Sequence, residues 1–302
     1  MARPQDHFSY APGDTARRRS AMIISEALTS AESILATNGI VEARREAASL
    51  LMLAIKRDKT FLYAHPDYAL TELEASTFES FLQRRATREP LQYISGVQEF
   101  YGLEFEVTPD VLIPRPETEM VVEHAIEILK SRATKRFCEI GIGSGCISIS
   151  ILHSVPDATA VGLDLSTSAL NVARRNAEKL GSIERLELIE SDLFAKSSGE
   201  RFDVIVSNPP YVPSDDIEGL QPEVRDFEPR AALTDGRDGL SIISRIVEEA
   251  PRFLTSGGFL LMEIGIDQST QVDAMFEPGI WHSPEFFPDL QGIPRLVCAE
   301  LI

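Results

Sequence analysis

Asn208, Pro209, Pro210 and Tyr211 form the stretch with the most distinctive chemistry in the chain. They follow residues 202–207, whose apolar composition and length are typical of a buried parallel strand. Two successive prolines donate no backbone N–H to a sheet, and Pro209 keeps Asn208 out of helical geometry. The predicted strand therefore ends with a side-chain amide, an aromatic ring and free carbonyl groups at its carboxyl end. Ligands of open α/β sheets bind at that edge, although an isolated stretch of this kind is explained at least as well by a structural proline turn.

A glycine-rich turn follows an earlier predicted strand, residues 137–140, and precedes a helix. Glycines let the backbone approach a ligand closely, and the N-terminus of a helix offers unpaired N–H donors. The spacing is G-x-G-x-G and differs from the G-x-G-x-x-G of dinucleotide-binding proteins, so the turn alone is weak evidence for a nucleotide-like ligand. We predict that a cofactor binds its residues, Gly141, Ile142, Gly143, Ser144 and Gly145.

Two acidic residues follow the next two predicted strands, at the same edge of the sheet. Asp164 ends residues 160–163, where a carboxylate can accept hydrogen bonds from both hydroxyls of a ribose. Asp192 follows residues 186–189, and Leu193 and Phe194 come next as apolar side chains that can flank an adenine. Either acid alone is more commonly a helix cap or a turn residue. Together they predict a nucleoside pocket formed by Asp164, Asp192 and Leu193, with Phe194 as the alternative contact to the adenine.

NAD and S-adenosylmethionine both contain adenosine, so a nucleoside pocket does not distinguish them. A dehydrogenase would need a second phosphate-binding arrangement and a catalytic acid beside the nicotinamide, and we find neither in the sequence. The motif after the fourth strand and a predicted hairpin at the C-terminus favour S-adenosylmethionine. We therefore assign Asn208, Pro209, Pro210 and Tyr211 to catalysis, and Asn208 also to cofactor binding.

Predicted strands and helices alternate from residue 113 onward and would position these side chains. Such alternation produces right-handed crossovers and a parallel sheet with helices on both faces. A turn at residues 289–292 before a last strand, 295–301, indicates an antiparallel hairpin at the sheet edge. We expect strands at residues 137–140, 160–163, 186–189, 202–206 and 259–262, and helices at residues 117–130, 166–180 and 239–254.

Residues 20–89 instead show helical periodicity without predicted strands, including a capping box that runs from Thr71 to Glu74. This segment is expected to be a small helical domain, either structural or responsible for binding a protein substrate. The alternation at residues 103–107, after a turn at Tyr101 and Gly102, predicts a hairpin linker. The expected division is a loose tail, 1–19, the helical domain, 20–89, the hairpin linker, 90–112, and the catalytic domain, 113–302.

The composition is that of an ordinary soluble globular protein, with 302 residues, 43% hydrophobic and 25% charged. No apolar run approaches the roughly 20 residues that span a bilayer. The net charge of -18 argues against stable nucleic-acid binding, which usually requires a basic face. Three widely spaced cysteines and five scattered histidines indicate neither a disulfide framework nor a metal site. We expect a cytoplasmic protein that binds no metal and no membrane.

Several further segments give the chain a specific resemblance. It resembles the class I S-adenosylmethionine-dependent methyltransferases that modify amide or amino nitrogens, and among them the protein-(glutamine-N5) methyltransferases of the HemK/PrmC family. Besides residues 208–211, the resemblance lies in residues 88–96, 100–102, 113–119, 227–233, 263–265 and 289–292. It implies a Rossmann-like α/β fold with a mainly parallel seven-stranded sheet, a C-terminal antiparallel hairpin and a small N-terminal helical bundle.

The resemblance also implies a reaction. A methyl group would pass from S-adenosylmethionine to the N5 nitrogen of the glutamine in the Gly-Gly-Gln loop of class I peptide-chain release factors, leaving S-adenosylhomocysteine. The oxygen of Asn208 and the carbonyl of Pro209 would accept the two N–H groups of the amide, Pro210 would keep the turn rigid, and Tyr211 would pack on the amide plane.

Three alternatives remain open. A ribosomal-protein glutamine methyltransferase shares the motif but departs from this chain at residues 114–119. Adenine-N6 methyltransferases of DNA or RNA usually add a basic recognition domain. A silent binding module would hold the cofactor and transfer nothing.

Overall fold

The structure is a computed structural model that describes residues 22–197 and 199–302. The predicted N-terminal tail, 1–19, lies outside the described residues. The chain divides into two compact units, one ending at Ala86 and the other spanning Thr87–Ile302. No helix within the described ranges combines the length and the apolar character that crossing a membrane requires.

The first unit is helical, as the periodicity predicts. On its first two helices, apolar residues at helical spacing share one face and are buried. Phe78 and Leu82 are also buried, whereas Phe81 is only half-buried. The helices are α1 (Ile24–Thr37), α2 (Ala43–Ile55), α3 (Lys59–Ala64) and α4 (Glu72–Ala86).

The predicted capping box at the start of α4 is confirmed. The backbone N–H of Glu74 donates to Oγ1 of Thr71 at 3.2 Å, and the N–H of Thr71 donates to Oε2 of Glu74 at 2.8 Å. Two N–H groups that the helix leaves without partners are thereby satisfied.

The second unit begins with α5 (Leu91–Ser95) and a two-stranded antiparallel hairpin, β1 (Val97–Phe100) and β2 (Leu103–Glu106). Tyr101 and Gly102 form its turn, both with positive φ, which confirms the predicted hairpin. The hydroxyl of Tyr93 donates to the carbonyl of Val111 at 2.7 Å, and so ties α5 to the extended segment that follows the hairpin.

The main sheet has seven strands in the order β5-β4-β3-β6-β7-β9-β8. The first five in this order are parallel, β9 pairs antiparallel with β7, and β8 pairs antiparallel with β9, which confirms the predicted fold class. The strands are β3 (Arg136–Ile140), β4 (Thr159–Asp164), β5 (Leu186–Glu190), β6 (Phe202–Ser207), β7 (Leu254–Glu263), β8 (Glu285–Pro288) and β9 (Pro294–Glu300).

Helices cover both faces of this sheet. Alternate strand residues divide between two apolar clusters: Val204 and Val206 of β6 face one cluster, and Ile205 faces the other. The helices are α6 (Glu119–Ser131), α7 (Cys146–Ser154), α8 (Thr167–Lys179), α9 (Pro222–Phe227), α10 (Arg230–Leu233), α11 (Ser241–Glu249) and α12 (Ser269–Asp273).

Two predicted helix bounds differ from the structure. The helix expected at residues 239–254 ends at Glu249 and is followed by a 3₁₀ turn, Ala250–Arg252, because Pro251 cannot continue the helical hydrogen-bond pattern. Leu254 then begins β7, which is longer than the predicted strand. The helix expected at residue 117 likewise starts with a 3₁₀ turn, Pro116–Thr118, so α6 begins at Glu119.

The strand order reverses between β3 and β6. The chain runs outward to β4 and β5 on one side, and to β7, β9 and β8 on the other. The hydroxyl of Ser207 donates to the carbonyl of Ile140 at 2.9 Å across this point. The carboxyl ends of two strands that diverge in this way leave a crevice in which ligands of such folds bind.

Candidate active site

A cavity of about 480 Å³ opens at that crevice, within the second unit. The residues predicted from separate stretches of the sequence are therefore brought together here. The predicted residues on its wall are Gly141, Ile142, Gly143, Ser144, Asp164, Asp192, Leu193, Asn208, Pro209 and Pro210. Gly145 and Tyr211 are not among the lining residues.

The glycine-rich turn has two kinds of glycine. Gly141 and Gly143 have φ of 71° and 54°, and a Cβ added at Gly141 would meet no protein atom within 4 Å. They line the cavity, so the space beside this backbone is open to a ligand. Gly145 has φ of 82°, and a Cβ there would lie 2.8 Å from Cδ1 of Ile149. Gly145 is thus required for the entry into α7, whereas Gly141 and Gly143 give a ligand access to the backbone.

Asp164 holds the glycine-rich turn against β4. Its Oδ2 accepts the N–H of Gly143 at 2.9 Å, and its Oδ1 accepts the N–H of Ser166 at 2.8 Å. Burial raises the pKa of Asp164, while these two backbone hydrogen bonds lower it. Each carboxylate oxygen can accept a second hydrogen bond, so the predicted contact to a ribose remains possible beside this role in the loop.

Leu193 and Phe194 lie in different surroundings, although they are neighbours in sequence. Leu193, with φ of 46°, lines the cavity. Phe194 is buried and stacks on Phe253, with ring centroids 4.4 Å apart. An adenine in the cavity can therefore contact Leu193 and not Phe194. Asp192 lies at the exposed rim, where its Oδ1 accepts a hydrogen bond from Arg245 at 3.1 Å.

Asn208 is connected to two buried residues that the sequence analysis did not assign to the site. Nδ2 of Asn208 donates to Oγ1 of Thr118 at 3.0 Å, and that hydroxyl donates to Oε2 of Glu263 at 2.6 Å. Among the described residues, Oδ1 of Asn208 forms no hydrogen bond. Thr118 and Glu263 are each 2% exposed, and only Thr118 of the two reaches the cavity. Both belong to segments that carried the family resemblance, and this was the only signal for them in the sequence.

Tyr211 is bonded to protein groups and does not line the cavity, and its predicted packing on a substrate amide stays a prediction. Its ring packs against an apolar cluster below the sheet edge, and its hydroxyl donates to Oε1 of Glu263 at 2.9 Å. The Tyr211 carbonyl accepts from Nε2 of Gln268 at 2.9 Å, whose Oε1 accepts the N–H of Gly265 at 2.8 Å. These bonds tie Tyr211 to Glu263 and to the loop after β7, so Tyr211 braces the turn after β6.

The wall opposite the glycine-rich turn comes from two extended segments. Arg115 donates to Oε1 of the buried Glu228 at 2.5 Å, and the N–H of Ile113 donates to Oε2 at 3.3 Å. Arg115 lies on one side of this link and Pro229 on the other, and both line the cavity. Burial raises the pKa of Glu228, while the guanidinium of Arg115 lowers it.

Glu139 is a further lining residue, to which the sequence analysis assigned no role. It is the last but one residue of β3 and is 1% exposed, and its Oε2 accepts the N–H of Ser148 in the first turn of α7 at 2.9 Å. Burial raises its pKa to about 8. An acidic residue at a buried strand end, next to a glycine-rich turn, was the available signal.

Two family profiles match the chain. Residues 26–96 match the PrmC N-terminal domain, and residues 119–219 match the methyltransferase small domain. The first match covers α1 to α5, and the second covers the glycine-rich turn, both acidic strand ends and Asn208.

Relatives match over most of their length. The chain is 45% identical over 263 residues to the release factor glutamine methyltransferase of Geobacter sulfurreducens, covering 87% of this chain and 91% of the relative. It is 42% identical over 280 residues to that of Cereibacter sphaeroides, covering 93% and 99%. With that of Koribacter versatilis it shares 38% identity over 277 residues, covering 91% and 98%.

Solved structures agree in fold. A 16S rRNA methyltransferase of T. thermophilus, solved in complex with AdoMet and guanosine, matches with a TM-score of 0.51 and 17% identity, covering 68% of this chain and 50% of that one. A methyltransferase from Pyrococcus furiosus matches with a TM-score of 0.50 and 18% identity, covering 72% and 98%. At these identities the match shows a shared fold. Because the relatives align along nearly their whole length, the chain belongs to the release factor glutamine methyltransferase family.

Proposed function

We propose that this protein methylates the side-chain amide nitrogen of the glutamine in the Gly-Gly-Gln loop of class I release factors, with S-adenosylmethionine as the methyl donor. The observation that carries the proposal is Oδ1 of Asn208, which has no hydrogen-bond partner in the described ranges and lies beside Pro209, in the same cavity as a nucleoside-type pocket. Family membership supports both the enzyme class and the cofactor.

The residues on the cavity wall fit S-adenosylmethionine. Gly141 and Gly143 leave open space beside their backbone, Asp164 can accept from a ribose, and Leu193 offers an apolar surface to an adenine. A positively charged ligand beside Glu139 would favour the ionised form of this buried carboxyl. When bound, S-adenosylmethionine supplies a methyl group on a sulfonium, which makes that carbon electrophilic.

An amide nitrogen is a poor nucleophile because its lone pair is delocalised into the carbonyl group. Asn208 accepts one N–H with Oδ1 and the carbonyl of Pro209 accepts the other, which orients the nitrogen and favours the more polarised amide. Pro210 restricts the turn to one conformation. A strong general base is not required, because the proton leaves late, after the nitrogen has become more acidic.

The helical domain, 20–89, is proposed to bind the release factor, with residues 90–112 as linker and 113–302 as catalytic domain. The match of residues 26–96 to a domain of this family supports it. Within the second unit, the salt bridge from Arg88 to Glu223 at 2.6 Å holds α9 in the segment that follows Asn208. We propose that this segment contacts the loop of the substrate.

The cellular setting is also proposed. Cys138, Cys146 and Cys298 are free thiols, which supports a reducing cytoplasm. The net charge of -18 supports a protein partner without stable nucleic-acid binding.

The test incubates the purified protein with methyl-labelled S-adenosylmethionine and purified class I release factors. Label should appear on the wild-type factor and be absent from a factor whose loop glutamine is replaced by alanine. Ribosomal proteins and DNA serve as competing substrates in parallel reactions. Label on DNA alone, or on the alanine variant at the wild-type level, would contradict the proposal.

A further inference from the structure

Two hydrogen bonds connect the cavity to a buried carboxylate, and a third reaches the other oxygen of that carboxylate. Asn208 donates to Thr118 at 3.0 Å, Thr118 donates to Glu263 at 2.6 Å, and Tyr211 donates to the other oxygen of Glu263 at 2.9 Å. The four residues come from three places: Asn208 and Tyr211 follow β6, Thr118 ends the 3₁₀ turn before α6, and Glu263 ends β7. Thr118 and Glu263 are each 2% exposed, so the bond between them is shielded from water.

The donor and acceptor roles in these hydrogen bonds follow from the number of protons that each group carries. An ionised carboxylate only accepts hydrogen bonds, and a hydroxyl has a single proton to donate. Thr118 gives that proton to Glu263, so its oxygen can only accept from Asn208. The NH₂ end of the Asn208 amide must therefore face Thr118, and Oδ1 must face the cavity. Burial raises the pKa of Glu263, whereas the hydrogen bonds from Thr118 and Tyr211 and the positive charge of Arg295 lower it, so these partners favour the ionised form against the effect of burial.

We propose that Glu263, acting through Thr118, is a positioning residue that fixes which end of the Asn208 amide faces the substrate. The inference rests on the proposed function and deepens it. With Oδ1 and the Pro209 carbonyl both presented as acceptors, the site selects a side chain that donates two N–H groups. A glutamine does so, whereas a glutamate carboxylate would face two acceptors and is rejected.

Removing the carboxylate reverses the donor and acceptor roles in the hydrogen bond between Thr118 and Asn208. Without an acceptor at position 263, the Thr118 hydroxyl turns its proton to Asn208 Oδ1, and the NH₂ group then faces the cavity. Removing the hydroxyl leaves the Asn208 amide without a preferred orientation. Loss of the Glu263 carboxylate should therefore favour binding of a glutamate side chain more than loss of the Thr118 hydroxyl does. A purely structural role predicts no such difference between the two variants.

The experiment compares Glu263→Met, Thr118→Val and Thr118→Ser in the full chain, with a release factor as substrate. The competitor is a release factor whose loop glutamine is replaced by glutamate. We expect kcat to fall about 100-fold in Glu263→Met and in Thr118→Val, with cofactor affinity within about twofold of wild type. Thr118→Ser should restore kcat. Inhibition by the glutamate competitor, relative to binding of the glutamine substrate, should strengthen about tenfold in Glu263→Met, and less in Thr118→Val.

The matched control is Asp203→Leu, at the amino end of β6. Asp203 is also a buried carboxylate, 6% exposed, and it accepts from the hydroxyl of Thr134 at 2.5 Å and the N–H of Arg136 at 3.0 Å. Its loss measures the cost of deleting a buried acceptor. The ratio of inhibition by the glutamate competitor to binding of the glutamine substrate, here called the competitor ratio, should stay at the wild-type value.

Wild-type kcat in both Thr118→Val and Glu263→Met overturns the inference, and so does an unchanged competitor ratio in Glu263→Met. If Glu263→Met does not fold, the test rests on Thr118→Val and Thr118→Ser. Equal kcat values for these two variants would reject the positioning role. A wild-type protein that methylates no release factor contradicts the proposed function instead, so the two failures are distinguishable.

Discussion

Polar atoms on the cavity wall differ in how far their hydrogen-bonding capacity is already used. Both oxygens of Asp164 accept backbone N–H groups, whereas within the described part of the chain Oδ1 of Asn208 has no partner. Asn208 is half-buried at the cavity wall, so this acceptor is open to a donor group of a ligand. At the scale of single residues, this makes Asn208 the strongest candidate for contact with the reacting amide.

Replacing Asn208 with alanine should abolish most of the transfer. Loss of one positioned acceptor is expected to reduce kcat by roughly 100- to 1000-fold, while the fold and most of the cofactor affinity persist. Single-turnover methylation and cofactor titration would measure the two effects. The exposed Asn171→Ala is the control for the substitution itself. A fully active Asn208→Ala variant would return residues 208–211 to the status of a structural turn.

Glu139 predicts a pH dependence of stability. Its pKa of about 8 in the folded protein lies above the ordinary 4.5, so between these values the folded state binds more protons than the unfolded state. The free energy of unfolding should therefore fall as pH rises through this window. The stabilising contribution of the protonated carboxyl is lost completely only above about pH 8. Relative to wild type, Glu139→Gln should gain up to roughly 1.4 kcal/mol per pH unit there.

Urea unfolding of the cofactor-free protein at several pH values measures this difference, with the exposed Glu187→Gln as control. Saturating S-adenosylmethionine should reduce the effect, because positive charge on the ligand favours the ionised carboxylate. Parallel stability curves for wild type and Glu139→Gln would show that burial does not shift this carboxyl.

At the scale of elements, the loops after β6 and β7 pack against the turn formed by residues 208–211. A Cβ added at Gly239 would lie 2.1 Å from the carbonyl oxygen of Tyr211, the same oxygen that accepts from Gln268. The backbone after α10 therefore has to pass close to the turn, and only glycine allows it. The position of Asn208 thus depends on a residue far from it in sequence.

A pair of glycine substitutions tests this dependence. Gly239 and Gly236 have nearly equal φ, 78° and 77°, but a Cβ at Gly236 would meet nothing within 4 Å. Gly236→Ala should cost only the backbone strain of about 1–2 kcal/mol and keep kcat. Gly239→Ala should destabilise the protein further and lower kcat, because the clash displaces Tyr211. Thermal unfolding and steady-state kinetics would measure both, and equal kcat values for the two variants would reject the packing argument.

At the scale of the whole molecule, the site lies entirely in the second unit. The cavity-lining residues run from Asp110 to Ile242, and the first unit ends at Ala86. The first unit has its own buried core on α1, α2 and α4. Cofactor binding and substrate binding are therefore expected to be separable by truncation.

A chain that starts at Thr87 should bind S-adenosylmethionine with nearly wild-type affinity and methylate the release factor with a strongly raised KM. It keeps Arg88, whose salt bridge to Glu223 lies within the second unit. Calorimetric titration with cofactor, which also reports folding, and steady-state kinetics would measure the two properties. Unchanged turnover on the full release factor would exclude a substrate-binding role for the helical domain.

The sequence alone determined much of this protein. Period and spacing predicted the helical unit, the hairpin and the sheet, because a burial pattern specifies an element locally. The residues at strand ends also predicted a common site, because parallel strands present their carboxyl ends at one edge. The turn after β6 was evident, since two prolines restrict the backbone regardless of what surrounds them.

Only the tertiary structure decided which atoms of these residues are available. Leu193 and Phe194 are neighbours in sequence, yet one faces the cavity and the other stacks on Phe253. Thr118 and Glu263 are 145 positions apart and become partners of Asn208 only when three strand and helix ends converge. Hydrogen-bond direction depends on every partner in the chain of bonds, and these partners are assembled by packing, which no local pattern encodes.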